Sequence, residues 1–180
     1  MTIYFIHDES MEEIEIDEID LRLLDQLQQD ASLSNLELAD RVHTSAPTCL
    51  RRVKRLREAG LIERQIAVLS ADKLAPVLGH GLSAIVEISL DRQGTDWLDA
   101  FEQRLGTDNA VQQCYRVSPG PDFVLVVHLL DMPAYLELAQ RLFTSDANVR
   151  NVKAFFSVRR SKFGARLPMP VRQPRSAASG

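Results

Sequence analysis

The sequence predicts an α+β fold made of two domains, a winged helix-turn-helix domain followed by a ferredoxin-like βαββαβ domain. Three observations lead to this prediction. Apolar residues recur at helical spacing in the first third of the chain, where helix-start signals separate three short helices. In the second half, apolar and polar residues alternate with period two, with turn residues between the runs. Glycines at positions 79 and 81 separate the two patterns.

The first helix is predicted to begin after Asp17, a good N-cap residue, with Asp20 at the capping-box position three residues later. Residues 1–16 alternate apolar and acidic side chains without a clear core pattern, so we interpret them as an N-terminal arm. The helix is expected to end near Asp30. Its apolar stripe consists of Ile19, Leu23, Leu24 and Leu27.

Two further helices follow, separated by a short turn. Ser34 and Glu37 form a capping box that starts the second helix. Ser45 is predicted to cap the third helix, Pro47 fits in its first turn because no backbone N–H is needed there, and Gly60 ends it. Two short helices joined by a tight turn are typical of a helix-turn-helix, which we place at residues 17–63.

The connection between the domains, residues 64–80, is predicted to contain a linking strand and a helical connector. Residues 61–69 have the pattern of an extended segment, either a wing or a linking strand. Residues 70–78 are expected to form a short helix that ends at the Gly79–Gly81 boundary.

The second domain, residues 81–163, is predicted to alternate four strands with two helices. The strands are expected at residues 82–90, 111–117, 123–130 and 149–160, with helices after the first and third strands. The order β-α-β-β-α-β is that of a ferredoxin-like fold. Residues 164–180 are rich in Pro, Ser, Ala and Arg, which is typical of a flexible tail.

The distribution of charge indicates a local nucleic-acid interface. The formal net charge is −4, which argues against a generally basic DNA binder. Residues 41–66, however, carry seven Lys or Arg and two Asp or Glu, whereas residues 1–40 carry one and twelve. A basic patch on an acidic protein suits sequence-selective binding, because the acidic remainder repels the polyanion elsewhere.

The third helix has one apolar side, formed by Cys49, Val53 and Leu56, and one cationic side. Because the N-terminal end of a recognition helix approaches base edges, we expect Pro47, Thr48 and Arg51 to contact bases. We expect Arg52, Lys54 and Arg55 to hold phosphates, and Ser45 to cap the helix or contact a phosphate. The alternative for the cationic side is an ordinary solvated helix face.

The sequence shows no sign of catalytic or metal chemistry. Cys49 and Cys114 lie far apart, and the four histidines have no metal-ligand spacing. No phosphate-binding glycine loop or nucleophile triad is present. We therefore expect a non-enzyme without metal or cofactor. No apolar run approaches a membrane span and the N-terminus is not of signal-peptide type, so we expect a cytoplasmic protein with no membrane contact.

Taken together, these motifs resemble the Lrp/AsnC family of transcription regulators over roughly residues 16–169. The residues that carry the resemblance are Ile19-Asp20, Leu23-Leu24, Leu27, Leu38-Ala39, Val42, Ser45, Arg51-Arg52-Val53, Leu56, Gly60-Leu61-Ile62, Tyr115-Arg116-Val117, Asp122 to Leu125 and Arg166-Leu167-Pro168. The resemblance implies a sequence-specific regulator of transcription that binds double-stranded DNA.

For the C-terminal half, the resemblance implies a RAM (ACT-like) domain that pairs subunits into dimers, assembles dimers toward octamers and binds an amino acid between subunits. The turn before the third strand of this domain is part of such a pocket, which makes Ser118, Gly120 and Asp122 the candidate effector-binding residues. The turn departs from the family pattern, because Pro119 stands where glycine is usual and Gly120 comes one place later.

Two other functions are compatible with this architecture. Sirohaem decarboxylases are similar in overall organisation and would bind a tetrapyrrole. A pure amino-acid sensor that no longer binds DNA is the third possibility, against which the cationic run Arg51 to Arg55 argues. A homodimer is expected for DNA binding, because one small helix-turn-helix contacts too few base pairs for useful specificity.

Overall fold

A computed structural model describes residues 4–8, 11–79 and 81–170 of the chain. The described residues fall into two compact units, one within residues 1–67 and 163–180 and the other within residues 68–162. The predicted helix-turn-helix domain, residues 17–63, lies inside the first unit.

The first unit begins with a two-stranded hairpin and continues with three helices. Strands β1 (Tyr4–Asp8) and β2 (Met11–Ile16) pair antiparallel, with Tyr4 opposite Ile16. The segment interpreted as an arm is thus a hairpin in its described part, and Ile16 at its end is 3% exposed. The helices are α1 (Glu18–Gln29), α2 (Asn35–Arg41) and α3 (Ala46–Glu58).

The helix boundaries follow the capping chemistry that the sequence predicts. Asp17 caps α1 in a capping box with Asp20, and Ser34 caps α2 in a capping box with Glu37. Ser45 caps α3, and Gly60 follows its end with a φ of 69°, in the left-handed region that favours glycine. These predictions are confirmed.

The three helices enclose one small core. Its fully buried members are Leu23, Leu38, Ala39, Val42, Cys49 and Leu56, with Ile19, Leu27, Val53 and Leu61 partly buried around them. Because each helix contributes one apolar stripe, the opposite sides of all three helices face outward.

The connection after α3 differs from the prediction. Residues 63–70 contain neither helix nor strand, so a wing or linking strand is not seen in this segment of the single chain and stays a prediction. A strand needs a partner for its backbone N–H and C=O groups, and none is paired with this segment. Ile66, Val68 and Leu69 are left exposed. The helical connector is confirmed as α4 (Ala71–Leu78), capped by Ser70.

The second unit contains the predicted ferredoxin-like fold. Its remaining elements are β3 (Leu82–Leu90), α5 (Thr95–Gly106), β4 (Val111–Arg116), β5 (Phe123–Leu129), α6 (Met132–Ala139) and β6 (Val149–Phe156). A π-helical turn, Gln140–Thr144, extends α6. The strand order is β4-β5-β3-β6, and every pair is antiparallel. The fold class is confirmed.

Helices α5 and α6 cover one face of this sheet. Alternate residues of β3 and β5 point toward the helices, and Val86, Ile88, Phe123 and Leu125 are fully buried there with Phe143. Residues of the opposite register, including Ile85, Tyr115 and Phe155, are exposed. Ile85 and Phe155 are directly paired across β3 and β6, so this open face carries a contiguous apolar surface.

The C-terminal segment also departs from the prediction. The last strand ends at Phe156 rather than near residue 160. Residues 163–170 have no regular secondary structure, yet they are tied to α1 by the side chain of Gln28, which bonds both backbone groups of Leu167. Leu167 is therefore held against α1, whereas the flexible tail stays a prediction for the rest of residues 164–180, of which residues 171–180 lie outside the described residues.

Within the described part of the chain, no helix is both long and apolar enough to cross a membrane.

Candidate nucleic-acid interface

Helix α3 presents an exposed row of residues on the side away from its core. Pro47, Arg51 and Lys54 lie on this row and are exposed, whereas Cys49 and Leu56 on the opposite side are completely buried. The apolar side fixes the helix, because moving it would expose those side chains to water at about 1.5–3 kcal/mol each. The outward row is therefore held in a defined orientation.

Arg51 is the exposed cation of this row whose guanidinium is not bound by another described residue. No side-chain hydrogen bond or ion pair joins it to another residue in the described part of the chain. Lys54 lies 3.6 Å from Glu58, but both side chains are well exposed, so this ion pair contributes little and opens readily. Both cations can therefore approach a phosphate or a base without breaking a strong contact.

Arg52 and Arg55 differ from Arg51 and Lys54 in that both bind carboxylates at the N-terminus of α1. Nη1 of Arg52 lies 2.9 Å from Oδ1 of Asp20 and 2.8 Å from Oδ2 of Asp17. Nη2 of Arg55 lies 2.6 Å from Oδ2 of Asp20. Asp20 is 0% exposed, so one buried carboxylate joins two arginines of α3 to α1.

The electrostatics of this cluster favour the charged pair. Burial opposes ionisation of Asp17, but the backbone N–H of Asp20 and the guanidinium of Arg52 outweigh it and lower the pKa of Asp17. Burial alone would lower the pKa of Arg52, whereas its hydrogen bonds to Asp20 and Asp17 raise it. Arg52 Nε is buried and has no hydrogen-bond partner among the described residues.

The structure thus places Arg52, which the sequence analysis expects to contact phosphate, inside this carboxylate cluster. Its side chain is only 20% exposed, and its Nη1 is shared between Asp17 and Asp20, so Arg52 ties α3 to α1. Arg55 is 45% exposed and also donates to the backbone oxygen of Glu15 at 3.2 Å, so it is only partly available. Asp20 offered a signal for this arrangement, because it shares the apolar stripe of α1 with Leu23 and needs a cation there.

The start of α3 uses its polar side chains locally. Ser45 Oγ accepts the backbone N–H of Thr48 at 3.4 Å and donates to Thr48 Oγ1 at 2.8 Å. Capping is thus the observed role of Ser45. Asn35, which the sequence did not single out, donates from Nδ2 to the backbone oxygen of Ala46 at 2.8 Å and ties α2 to the start of α3.

Arg57 is a further exposed cation that sequence reasoning missed. It lies in the last turn of α3 on the flank of the outward row, about two helical turns after Leu50. Leu50 is 60% exposed. The helical spacing of Arg57 relative to Lys54 and Arg51 was the signal that could have found it.

The candidate effector turn lies between β4 and β5. Ser118 and Gly120 are exposed, and Gly120 has a φ of 127°, which favours glycine. Asp122 is half-buried, and its Oδ2 accepts the backbone N–H of Leu90 at 2.6 Å. Its backbone N–H donates to Ile88 at 2.8 Å, so the residue anchors the turn to the end of β3.

Two family models cover most of the chain. Residues 16–63 match one described as winged helix-turn-helix DNA-binding, and residues 83–167 match one described as Lrp/AsnC ligand binding domain. A leucine-responsive regulatory protein of Rhizobium meliloti is 35% identical over 149 residues, which span 83% of this chain and 93% of the relative. The chain belongs to the Lrp/AsnC family.

Other Lrp/AsnC-type proteins agree with this assignment. An HTH-type transcriptional regulator of Haemophilus influenzae is 33% identical over 141 residues, which span 78% of this chain and 82% of the relative. A transcriptional regulator from Neisseria meningitidis in complex with L-Met has a TM-score of 0.71 and 29% identity, covering 85% of this chain and 96% of that one. The Lrp/AsnC chain described here is thus a transcriptional regulator with a DNA-binding and a ligand-binding domain.

Among the described residues, no group of three or more His, Cys, Asp or Glu side chains is placed to hold a metal ion.

Proposed function

We propose that this Lrp/AsnC regulator binds double-stranded DNA chiefly through Pro47, Thr48, Arg51 and Lys54, with Arg55 and Ser45 in secondary roles. The observation that carries the proposal is the free, exposed guanidinium of Arg51 on a helix whose opposite side is locked in a core. Arginine on the N-terminal half of a recognition helix can donate two hydrogen bonds to a guanine edge. Lys54 then neutralises phosphate and positions the helix.

The protein acts as a homodimer, with dimers assembling further toward octamers. The open face of the second unit supports this, because Ile85, Tyr115 and Phe155 form an exposed apolar surface of the kind that marks association. Twofold pairing places two recognition helices on half-sites about 34–36 Å apart, or a multiple of that distance. A cytoplasmic location follows from the access to DNA that this function requires.

An amino acid bound by the C-terminal domain modulates DNA binding. The ligand-binding description of residues 83–167 and the L-Met complex of the Neisseria relative support this class of effector. Ser118 and the backbone around Gly120 are accessible for a carboxylate, and Asp122 has a second carboxylate oxygen for an α-ammonium group. An amino acid shifts the regulator only if it binds two assemblies with different affinity.

The test is selection of bound sequences from random duplex DNA, followed by binding measurements with and without each amino acid. The proposal expects a recovered sequence with twofold symmetry, and a change in affinity or particle size with at least one amino acid. If no sequence is enriched, the proposed sequence-specific DNA binding is contradicted. An absorption band of bound tetrapyrrole in the purified protein would instead favour the decarboxylase alternative, against which the regulator names of the relatives argue.

A further inference from the structure

The N-terminal hairpin lies directly beside the cationic side of α3. Strand β2 runs without a break into Asp17, the N-cap of α1, and Ile16 at its end is buried. The backbone oxygen of Glu15 accepts a hydrogen bond of 3.2 Å from Nη1 of Arg55. The hairpin is thus attached to the recognition helix by a direct contact.

A single concave surface brings carboxylates of this region together with the cations of α3. Its lining residues are Glu15, Asp17, Asp20, Arg51, Arg52 and Arg55. Asp17 and Asp20 are committed to Arg52 and Arg55, as described above. Glu15 is exposed and forms no ion pair within the described residues, so its charge acts on the open surface next to Arg51.

The hairpin is strongly acidic and lies outside the part of the chain that the family models match. Residues 8–15 contain five carboxylates, Asp8, Glu9, Glu12, Glu13 and Glu15, and no Lys or Arg. The helix-turn-helix match begins at residue 16. This acidic segment thus precedes almost all of the matched domain in the chain, and the one carboxylate of it whose side chain is described, that of Glu15, lies on the same surface as Arg51 and Arg55.

We propose that the acidic hairpin, residues 4–16, competes with DNA phosphates for the cationic side of α3 and so lowers the affinity of this regulator for DNA. This inference rests on the proposed DNA-binding function. Charges attract or repel over a Debye length of about 8–10 Å at 0.10–0.15 M salt, and the end of β2 contacts Arg55 directly. The carboxylates there neutralise part of the field that attracts phosphate, without contacting DNA.

Two consequences separate this effect from a structural role of the hairpin. Neutralising the carboxylates increases the affinity for DNA, whereas a loss of structure decreases it. Neutralising the carboxylates also makes the affinity for DNA fall more steeply with salt concentration, because more of the cationic charge of α3 is then available to displace counterions from DNA. At high salt the variant and the native chain converge, because the hairpin is then screened.

The experiment compares two triple variants with equal change in net charge. The test variant is Glu12→Gln with Glu13→Gln and Glu15→Gln, and the matched control is Asp91→Asn with Asp96→Asn and Glu137→Gln, three exposed positions of the second unit. Binding to random-sequence duplex DNA is measured from about 50 to 200 mM NaCl. We expect the test variant to bind about threefold to tenfold tighter at the lowest salt, with a steeper salt slope, and the control to change much less.

A chain that starts at residue 14 provides a second variant, which removes β1 and the first half of β2, and circular dichroism reports whether its helices remain. If the test and control triples increase the affinity for DNA equally, the inference is overturned, because the increase then comes from the net charge of the protein and not from the hairpin. Unchanged or weaker binding by the test triple, with intact helices, overturns it as well. If neither the native chain nor any variant binds duplex DNA, the proposed function itself fails, an outcome distinct from both.

Discussion

The carboxylate of Asp20 in α1 lies 2.9 Å from the guanidinium of Arg52 in α3, and the Asp20 side chain is only 1% exposed. This pair joins residues that are 32 positions apart and sets the angle at which the recognition helix leaves the core. Because Arg52 is held inside, the cationic side of α3 divides into arginines that build the domain and residues that stay free for a ligand. Arg51 and Lys54 belong to the second group.

Asp20→Asn is expected to lower the free energy of unfolding of the first unit by about 2–4 kcal/mol, because it leaves the guanidinium of Arg52 largely buried without its main partner. The loss can be measured by denaturant unfolding followed by circular dichroism. Glu18→Gln is the matched control, since Glu18 pairs with Arg22 on the surface at 2.5 Å and should cost less than about 0.5 kcal/mol. Similar small losses for both variants would show that the Asp20 cluster does not hold the domain.

The second unit should lose stability in acid through Asp108 and Asp146. Burial opposes their ionisation, but hydrogen bonds and charge from Arg141 and Arg104 outweigh it and lower the pKa of Asp108 and of Asp146. A carboxyl with a lowered folded-state pKa stabilises the fold above its unfolded pKa of about 3.9 and loses that contribution as the pH falls through the folded value.

Trp97 in α5 is the one tryptophan of the chain, so its fluorescence during denaturation reports on this unit. The free energy of unfolding should fall as the pH drops below about 4, and Asp108→Asn should make this fall smaller. Asp91→Asn is the control, since Asp91 is exposed and has no ion pair among the described residues. An unchanged acid dependence in Asp108→Asn would contradict the assignment to the Arg141 pair.

Sequence reasoning succeeded where structure is local and missed where it depends on distant partners. The caps at Asp17, Ser34 and Ser45 act within three residues, so their side chains could be assigned from spacing alone. The alternation of β3 and β5 likewise predicted the sheet. The commitment of Arg52 to Asp20 was not visible in this way, because helix periodicity shows which face a residue occupies but not which charge lies opposite.

The two ends of the first unit show the same limit. Composition predicted a flexible segment after residue 163, but the contact of Gln28 with Leu167 spans 139 positions, and no local pattern encodes it. The hairpin of residues 4–16 was missed because its turn region, residues 8–11, contains no Gly, Pro or Asn and its second strand is acidic. It stays a prediction that DNA is contacted by Pro47, Thr48, Arg51 and Lys54. Arg52 is no longer grouped with them, because its guanidinium binds Asp20.

Arg51→Ala is expected to weaken binding to the selected DNA sequence by about 1–3 kcal/mol and to relax the preference at one base position, because a bidentate base contact is lost. Lys54→Ala is the matched comparison on the same row of α3. It should weaken binding to all sequences alike and lower the salt slope by about one unit. Fluorescence anisotropy with selected and random duplexes distinguishes the two. An equal loss on random DNA for Arg51→Ala would contradict base contact.

Gln28→Ala is expected to release the C-terminal segment from α1. The side chain of Gln28 accepts the backbone N–H of Leu167 at 2.8 Å and donates to its carbonyl oxygen at 2.8 Å, while Arg166 lies 2.7 Å from Asp25 of the same helix. These contacts hold the peptide bond between Arg166 and Leu167, a bond that trypsin cleaves only when the backbone can leave the surface.

The variant loses both hydrogen bonds to Leu167, each worth about 0.5–1.5 kcal/mol at most because they are exposed to solvent. The rate of tryptic cleavage after Arg166 should therefore rise about threefold to tenfold. Mass spectrometry of the peptide that begins at Leu167 gives this rate. Gln29→Ala is a close control, because the neighbouring Gln29 bonds only to Asp25 within its own helix, at 2.9 Å. Cleavage of Gln28→Ala at the rate of the native chain would mean that the segment is held by contacts other than this amide pair.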